Sequence, residues 1–263
     1  MLQLDGLSQR LTDAAQALNA RDSSHPVPSP SGAYSCVRQQ WYKGRGSPIT
    51  NVTPVRSLKK MAAGKAIEPF WRAALEEAGF TITLPKERIP IGEDADGEVD
   101  GILSEGQPAS SCLLELKDLG QWSYQDVLIK GVKIGAPEYY MQVQLYLYGC
   151  IHAGLINDPR CVFLAGMADS SGFLWYWRRI KKQEIDPPDF YLEVIEYDEA
   201  VAQWGLDRMK YIGSILKSSD VPPSNFEPLE GRFPCGTNDV AYCGFRDQCV
   251  SDGGLVVDRE APV

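Results

Sequence analysis

No stretch of eighteen consecutive apolar residues occurs in the 263-residue sequence, so no membrane-spanning helix is expected. No G-x-x-x-x-G-K-[ST] phosphate-binding loop is present. Internal repeats and long low-complexity linkers are lacking as well. The first residues, MLQLDGLSQRLTDAAQALNARD, have neither a basic start nor an apolar block, which argues against a secretory signal. Seven cysteines without such a signal are not expected to build a disulfide framework. As reduced thiols they are free to bind metal, and the expected compartment is the cytoplasm. Histidine is scarce: only His25 and His152 occur.

What is present is ordinary for a soluble globular protein, with 44% hydrophobic and 23% charged residues. The length allows one large domain or two small ones, either with a proper core. A net charge of −9 argues at first against a polyanionic partner. The distribution softens that objection. Between Arg38 and Arg72 the chain carries Arg38, Lys43, Arg45, Arg56, Lys59, Lys60, Lys65 and Arg72 against Glu68 alone. Such a stretch is either a solvated helix face or the wall of a groove that tracks a phosphate backbone.

The pattern is that of an α/β chain read as one domain over 29–250. It is preceded by an amphipathic helix within 1–28 and followed by a flexible tail over 251–263. Leu4, Leu7, Leu11 and Leu18 fall near helical spacing, and HPVPSPSG (25–32) separates that helix from the body. A helix is expected from about Val55 to Ala78, with Pro69 bending it or starting a second one. Strands are expected at Phe80–Leu84, Glu98–Leu103, Cys112–Lys117, Cys161–Ala168 and Phe173–Arg179. SEGQPASS joins the second and third of these as a hairpin turn. Asp198 is a candidate N-cap for a helix carrying Val201, Trp204, Met209, Ile212 and Leu216.

The informative segment is EVDGILSEGQPASSCLLELKD, 98–118. On a strand, Leu113, Glu115 and Lys117 share one face while Leu114 and Leu116 take the other. A Glu and a Lys side by side on an apolar strand are expensive unless paired or used. The hairpin brings Asp100 alongside. Two neighbouring carboxylates repel, and a divalent cation is the usual remedy; hard oxygen ligands select Mg²⁺ or Mn²⁺. Such a cation can polarise a phosphoryl oxygen and acidify a bound water. Lys117 is placed to orient that water or stabilise developing charge. A structural Glu–Lys pair is the plainer alternative.

VDG (99–101) followed by LLELKD (113–118) resembles the signature of PD-(D/E)xK nucleases. It is similar in particular to the RecB-like branch, which includes the CRISPR-associated Cas-four exonucleases and the AddB nuclease domain. The resemblance implies a restriction-endonuclease-like fold, a mixed central sheet flanked by helices. It also implies metal ligation by Asp100, Glu115 and the Leu116 backbone carbonyl. In that branch a G-x-x-x-H helix supplies a further ligand; here GKAIE (64–68) puts Glu68 in that place. Neither His25 nor His152 fits a motif position. The branch's Q-x-x-x-Y motif is met by Gln142/Tyr146 and by Gln144/Tyr148 within YYMQVQLYLYG (139–149). The distance from Lys117 favours Gln142 with Tyr146, implied to position Lys117 and contact the DNA backbone. Read without the resemblance, that segment is equally a strand or a core helix. Arg38, Lys43, Arg45 and Lys65 are the candidate DNA-binding residues.

Cys235, Cys243 and Cys249 lie close in sequence, and Cys36 lies far upstream. The grouping resembles the iron–sulfur staple of the Cas-four and AddB proteins, with CGFRDQC (243–249) and SCVRQQWY (35–42) carrying the likeness. The x7 gap after Cys235 departs from the usual x2. Four thiolates suit a [4Fe–4S] cluster or Zn²⁺, joining the N-terminal and C-terminal segments. Cys112, Cys150 and Cys161 sit in apolar contexts and read as buried small hydrophobes.

Together the motifs resemble those of a metal-dependent DNA exonuclease, and the resemblance implies action from single-stranded or free ends in recombination, repair or CRISPR adaptation. The alternative is a non-catalytic DNA-binding or adaptor module of the same fold. With no motor motif of its own, the chain would take any unwinding from a helicase, recombinase or CRISPR adaptation partner. No membrane partner is expected.

Overall fold

The computed structural model describes residues 7–22, 28–93, 95–106, 110–167, 188–222 and 243–253. Its centre is a five-stranded mixed sheet. The strand order is β1 (Thr81–Thr83), β4 (Gly101–Glu105), β5 (Ser110–Leu119), β6 (Arg160–Met167) and β7 (Tyr191–Glu196). A separate antiparallel ribbon pairs β2 (Ile89–Pro90) with β3 (Asp96–Gly97). The expected strand at Phe173–Arg179 lies outside the described residues.

β5 organises the rest. It pairs antiparallel with β4, setting Gly101 opposite Leu114, and parallel with β6. Parallel neighbours need a long crossover, and α4 (Gln121–Gly135) and α5 (Pro137–His152) supply it. The period-2 alternation of β5 sends its apolar residues to two layers. Leu113 and Leu119 enter a core shared with Tyr124 and Val127 of α4 and Val143, Leu145 and Leu147 of α5. Leu114 and Leu116 enter a smaller core with Trp71 and Leu75 of α3 (Val55–Glu77). Burial of each such leucine contributes roughly 1.5–3 kcal/mol. The longest strand is therefore covered on both faces at the point where it carries Glu115 and Lys117.

Three local outcomes follow from identifiable causes. The helix at 55–77 runs through Pro69 without dividing. The segment whose apolar residues alternate like a strand is helix α5: residues 141–147 are all buried, so no polar face exists to reveal the helical period. α4 breaks at Gly131, which takes φ 73°; the freed amide of Val132 donates to Glu193 Oε2 at 2.8 Å. Asp198 does cap the helix α6 (Glu199–Leu216), accepting from the Val201 amide at 3.2 Å.

α1 (Leu7–Asp22) lies against α3. The short helices α2 (Val37–Gly44) and α7 (Arg246–Ser251) bring the two ends of the body together. Trp41, Tyr42, Cys243 and Phe245 form a small core there. Arg38 is 6% exposed and donates to the carbonyls of Pro222 at 2.9 Å, Cys249 at 3.3 Å and Asp252 at 3.2 Å. Tyr42 donates to Asp252 Oδ2 at 2.6 Å. The joining of the chain ends is thus visible as a guanidinium clasp over an aromatic core.

Candidate active site

Asp100 ends the loop before β4, and Glu115 and Lys117 occupy the middle of β5. The hairpin register brings the strands so close that Asp100 Oδ2 accepts from the Leu116 amide at 2.7 Å. Glu115 is 1% exposed and forms an ion pair with Lys117 through Oε1. Its other oxygen, Oε2, is buried and has no hydrogen-bond partner among the described residues. Burial pushes the Glu115 carboxyl up to about 7; Lys117 opposes the shift, and the charges on Asp100 and Glu68 reinforce it. Burial alone would discharge Lys117, but Glu115 and Asp100 more than reverse that and hold it protonated.

α3 brings up Glu68. Its carboxyl is also raised, by burial and then by the Asp100 charge, with Arg72 and Lys117 opposing. Arg72 ties the helix to the strand loop: it donates to Glu68 Oε2 and to the Asp100 carbonyl, each at 3.2 Å. Gly64, one turn before Glu68, faces Asp118 of β5, whose Cβ a side chain there would meet at 3.4 Å, an ordinary contact distance. From the opposite face, α5 contributes Gln142, which donates to the Tyr146 hydroxyl at 3.3 Å. Both are buried, and the Tyr146 phenol is pushed up by burial and the Glu115 charge. The second match to that spacing is spent elsewhere: Gln144 bonds the Glu196 carbonyl and the Asp198 amide at 3.0 and 2.7 Å. Lys117 Nζ lies 5.4 Å from the Tyr139 ring centroid.

Beside this cluster opens a cleft of about 950 Å³ between α3 and the end of β5. Lys59, Lys60, Lys65, Glu68, Trp71, Lys117 and Asp118 are in its wall. Of the four cations anticipated as DNA contacts, Lys65 lines it and the other three do not. Arg38 is buried in the terminal clasp. Lys43 is half-buried on α2. Arg45 lies 4.9 Å over the Trp41 ring and donates to the Ser218 carbonyl. The stretch of positive charge in sequence is therefore divided in space, because α2 packs on α6 while α3 packs on the sheet.

The donor set fits a hard divalent cation on one observation: a buried carboxylate oxygen without a partner, facing the field of two further carboxylates. Among the described residues no three or more His, Cys, Asp or Glu side chains stand together as a ready-made metal cage. In this structure Arg72 engages Glu68, Lys117 engages Glu115, and the Leu116 amide engages Asp100.

The cysteines fit a cluster less well. Cys36, Cys243 and Cys249 are free thiols close enough to feel one another's charge, and an Arg38 nitrogen lies 3.8 Å from Cys249 Sγ. They too fall short of a three-ligand arrangement among the described residues. Cys235 lies outside those residues. Cys150 and Cys161 are buried and Cys112 is half-buried.

Sequence reasoning missed Arg72 and Trp71. The first has a readable signal, an acid–base pair four residues apart on one helix.

No family model matches the chain, and no curated protein matches it. Among solved structures, the alkaline exonuclease LHK-Exo of Laribacter hongkongensis is similar at 16% identity. That match covers 78% of this chain and 93% of the exonuclease, with a TM-score of 0.48. A structure of LHK-Exo in complex with dAMP matches at 17% identity, covering 72% and 87%, also with a TM-score of 0.48. These likenesses are too distant to assign a family. Among the described residues no helix is long and apolar enough to cross a membrane.

Proposed function

We propose that the chain is a metal-dependent DNA exonuclease of the PD-(D/E)xK type, acting through Glu68, Asp100, Glu115 and Lys117. The observation that carries this reading is the unpartnered, fully buried oxygen of Glu115 beside two more carboxylates, next to a cleft walled by lysines. A buried carboxylate oxygen left so is costly, and a fold has little use for one beside two further carboxylates unless a cation is to share them. Asp100, Glu115 and Glu68, with the Leu116 carbonyl, would hold Mg²⁺ or Mn²⁺, which polarises a phosphoryl oxygen.

The protein's own groups do the rest. Lys59, Lys60 and Lys65 attract the phosphate backbone into the cleft. Lys117, kept charged by its two acidic neighbours, stabilises the charge that develops on the reacting phosphate or orients the attacking water. Gln142 and Tyr146 back the Glu115–Lys117 pair from α5. Action from single-stranded or free ends, in recombination, repair or CRISPR adaptation, extends the same proposal, as does a helicase or recombinase partner. No part of it depends on the [4Fe–4S] cluster or on zinc. A brown protein whose colour is lost in Cys243→Ser would restore the cluster to it.

End-labelled single- and double-stranded DNA, incubated with Mg²⁺ or Mn²⁺, tests the reading beside Lys117→Ala. Metal-dependent shortening from the ends is expected. In the variant it should fall by at least about a hundredfold while DNA binding persists. Binding without cleavage by the wild type would point instead to the adaptor reading.

A further inference from the structure

We propose that Trp71 is a nucleobase platform, so that the strand runs along α3 with its phosphates on the lysines and its reacting-end base against the indole. The proposal rests on the nuclease reading for its biological sense, but its geometry, set by α3 and the strand beneath it, does not depend on a bound metal.

Lys60, Gly64, Ile67, Glu68 and Trp71 recur at helical spacing, share one face of α3, and all line the same cleft. At about 1.5 Å of rise per residue, Lys60 precedes Glu68 by roughly 12 Å and Trp71 follows it by roughly 4.5 Å along the axis. Positive charge therefore lies on one side of the acidic cluster and an aromatic ring on the other. That order suits a polyanion whose backbone is neutralised up to the reacting phosphate and whose last base needs a flat, apolar contact.

Trp71 is only half-buried, and it is held firmly. Phe70 and Phe190 make T-shaped contacts with it, at centroid distances of 5.1 and 5.7 Å and interplanar angles of 69° and 65°. On the sheet side it lies against Gly166 of β6, where a Cβ would come within 3.2 Å of Cζ2 and 3.3 Å of Nε1. The bare backbone at Gly166 is what seats the indole. A purely structural filler would be better served by phenylalanine or leucine, because the buried indole N–H of Trp71 has no acceptor among the described residues. A rigid aromatic beside a cationic wall serves binding better than it serves packing.

The test is equilibrium binding of a short fluorescein-labelled oligothymidylate and of the same strand with abasic residues at both ends. EDTA keeps the strands whole, so the readout does not depend on cleavage. The wild type should bind the base-bearing strand roughly five- to hundredfold more tightly. Trp71→Leu should bind both strands alike, at the abasic level, and Trp71→Phe should keep most of the preference. A wild-type protein that does not distinguish the strands would overturn the platform, as would Trp71→Leu with an undiminished ratio. The comparison of strands on the wild type decides the matter even if Trp71→Leu folds poorly. Failure of metal-dependent cleavage with this preference intact would count against the nuclease reading alone.

Discussion

Replacing Glu115 by glutamine should stabilise the metal-free protein above neutral pH while removing its response to metal. Glutamine copies the shape of the protonated carboxyl, the form that burial favours, at the cost of the ion pair with Lys117. Burial moves the group from 4.5 to about 7, and the attraction of Lys117 is already included in that balance. At about 1.4 kcal/mol per pKa unit, the ionised carboxylate costs the folded state on the order of 3 kcal/mol at most. A carboxyl raised in this way adds stability below its unfolded value and loses it as pH climbs through the folded one. The window here is therefore about 4.5 to about 7. For a chain of this size the gap corresponds to roughly 5–10 °C in Tm. Thermal unfolding in EDTA should show the two proteins alike near pH 5 and Glu115→Gln ahead at pH 8. Mg²⁺ or Mn²⁺ should then raise the wild type and leave the variant where it is. A variant less stable than the wild type at both pH values would show that the ion pair with Lys117, and not desolvation, governs this site.

Arg72→Gln should release Glu68 and the Asp100 carbonyl together and weaken Mn²⁺ binding by roughly ten- to a hundredfold. Calorimetry giving an unchanged affinity would remove Arg72 from the support of the site. Arg38→Ala should cost about 3–5 kcal/mol in chemical denaturation, because it strips three carbonyls of a buried charged donor. If Arg38 instead served mainly as a DNA contact, the variant would lose DNA affinity with its stability unchanged.

The sheet and the strand that carries the candidate site were legible in the sequence because β5 alternates and sets Glu115 and Lys117 on one face. The hairpin partner was legible because SEGQPASS leaves a single short connection. α5 was not, since a helix buried on every side shows no period, and only the spacing of Gln142 and Tyr146 hinted at one. The nearness of Glu68, Asp100 and Glu115 was legible in residue type and order, whereas the i,i+4 pairing of Arg72 with Glu68 was hidden within a stretch of bulk positive charge. Trp71 could not have been singled out by spacing alone. Its position depends on Gly166, almost a hundred residues away, and on which strand lies beneath α3.

The basic stretch from Arg38 to Arg72 shows why charge along a chain is a weak guide to charge in space. Arg38 lies within it by number, yet its guanidinium is consumed by carbonyls of the C-terminal segment and is lost to any ligand. Lys59, Lys60 and Lys65 belong to a helix whose inner face packs on β5, so its length leads from the lysines directly to the acidic cluster. A protein of net charge −9 thereby keeps a locally cationic channel without a cationic surface. Binding should accordingly be steep in salt but confined to α3. Charge reversals on that helix should weaken DNA binding, and reversals on α2 should leave it unchanged.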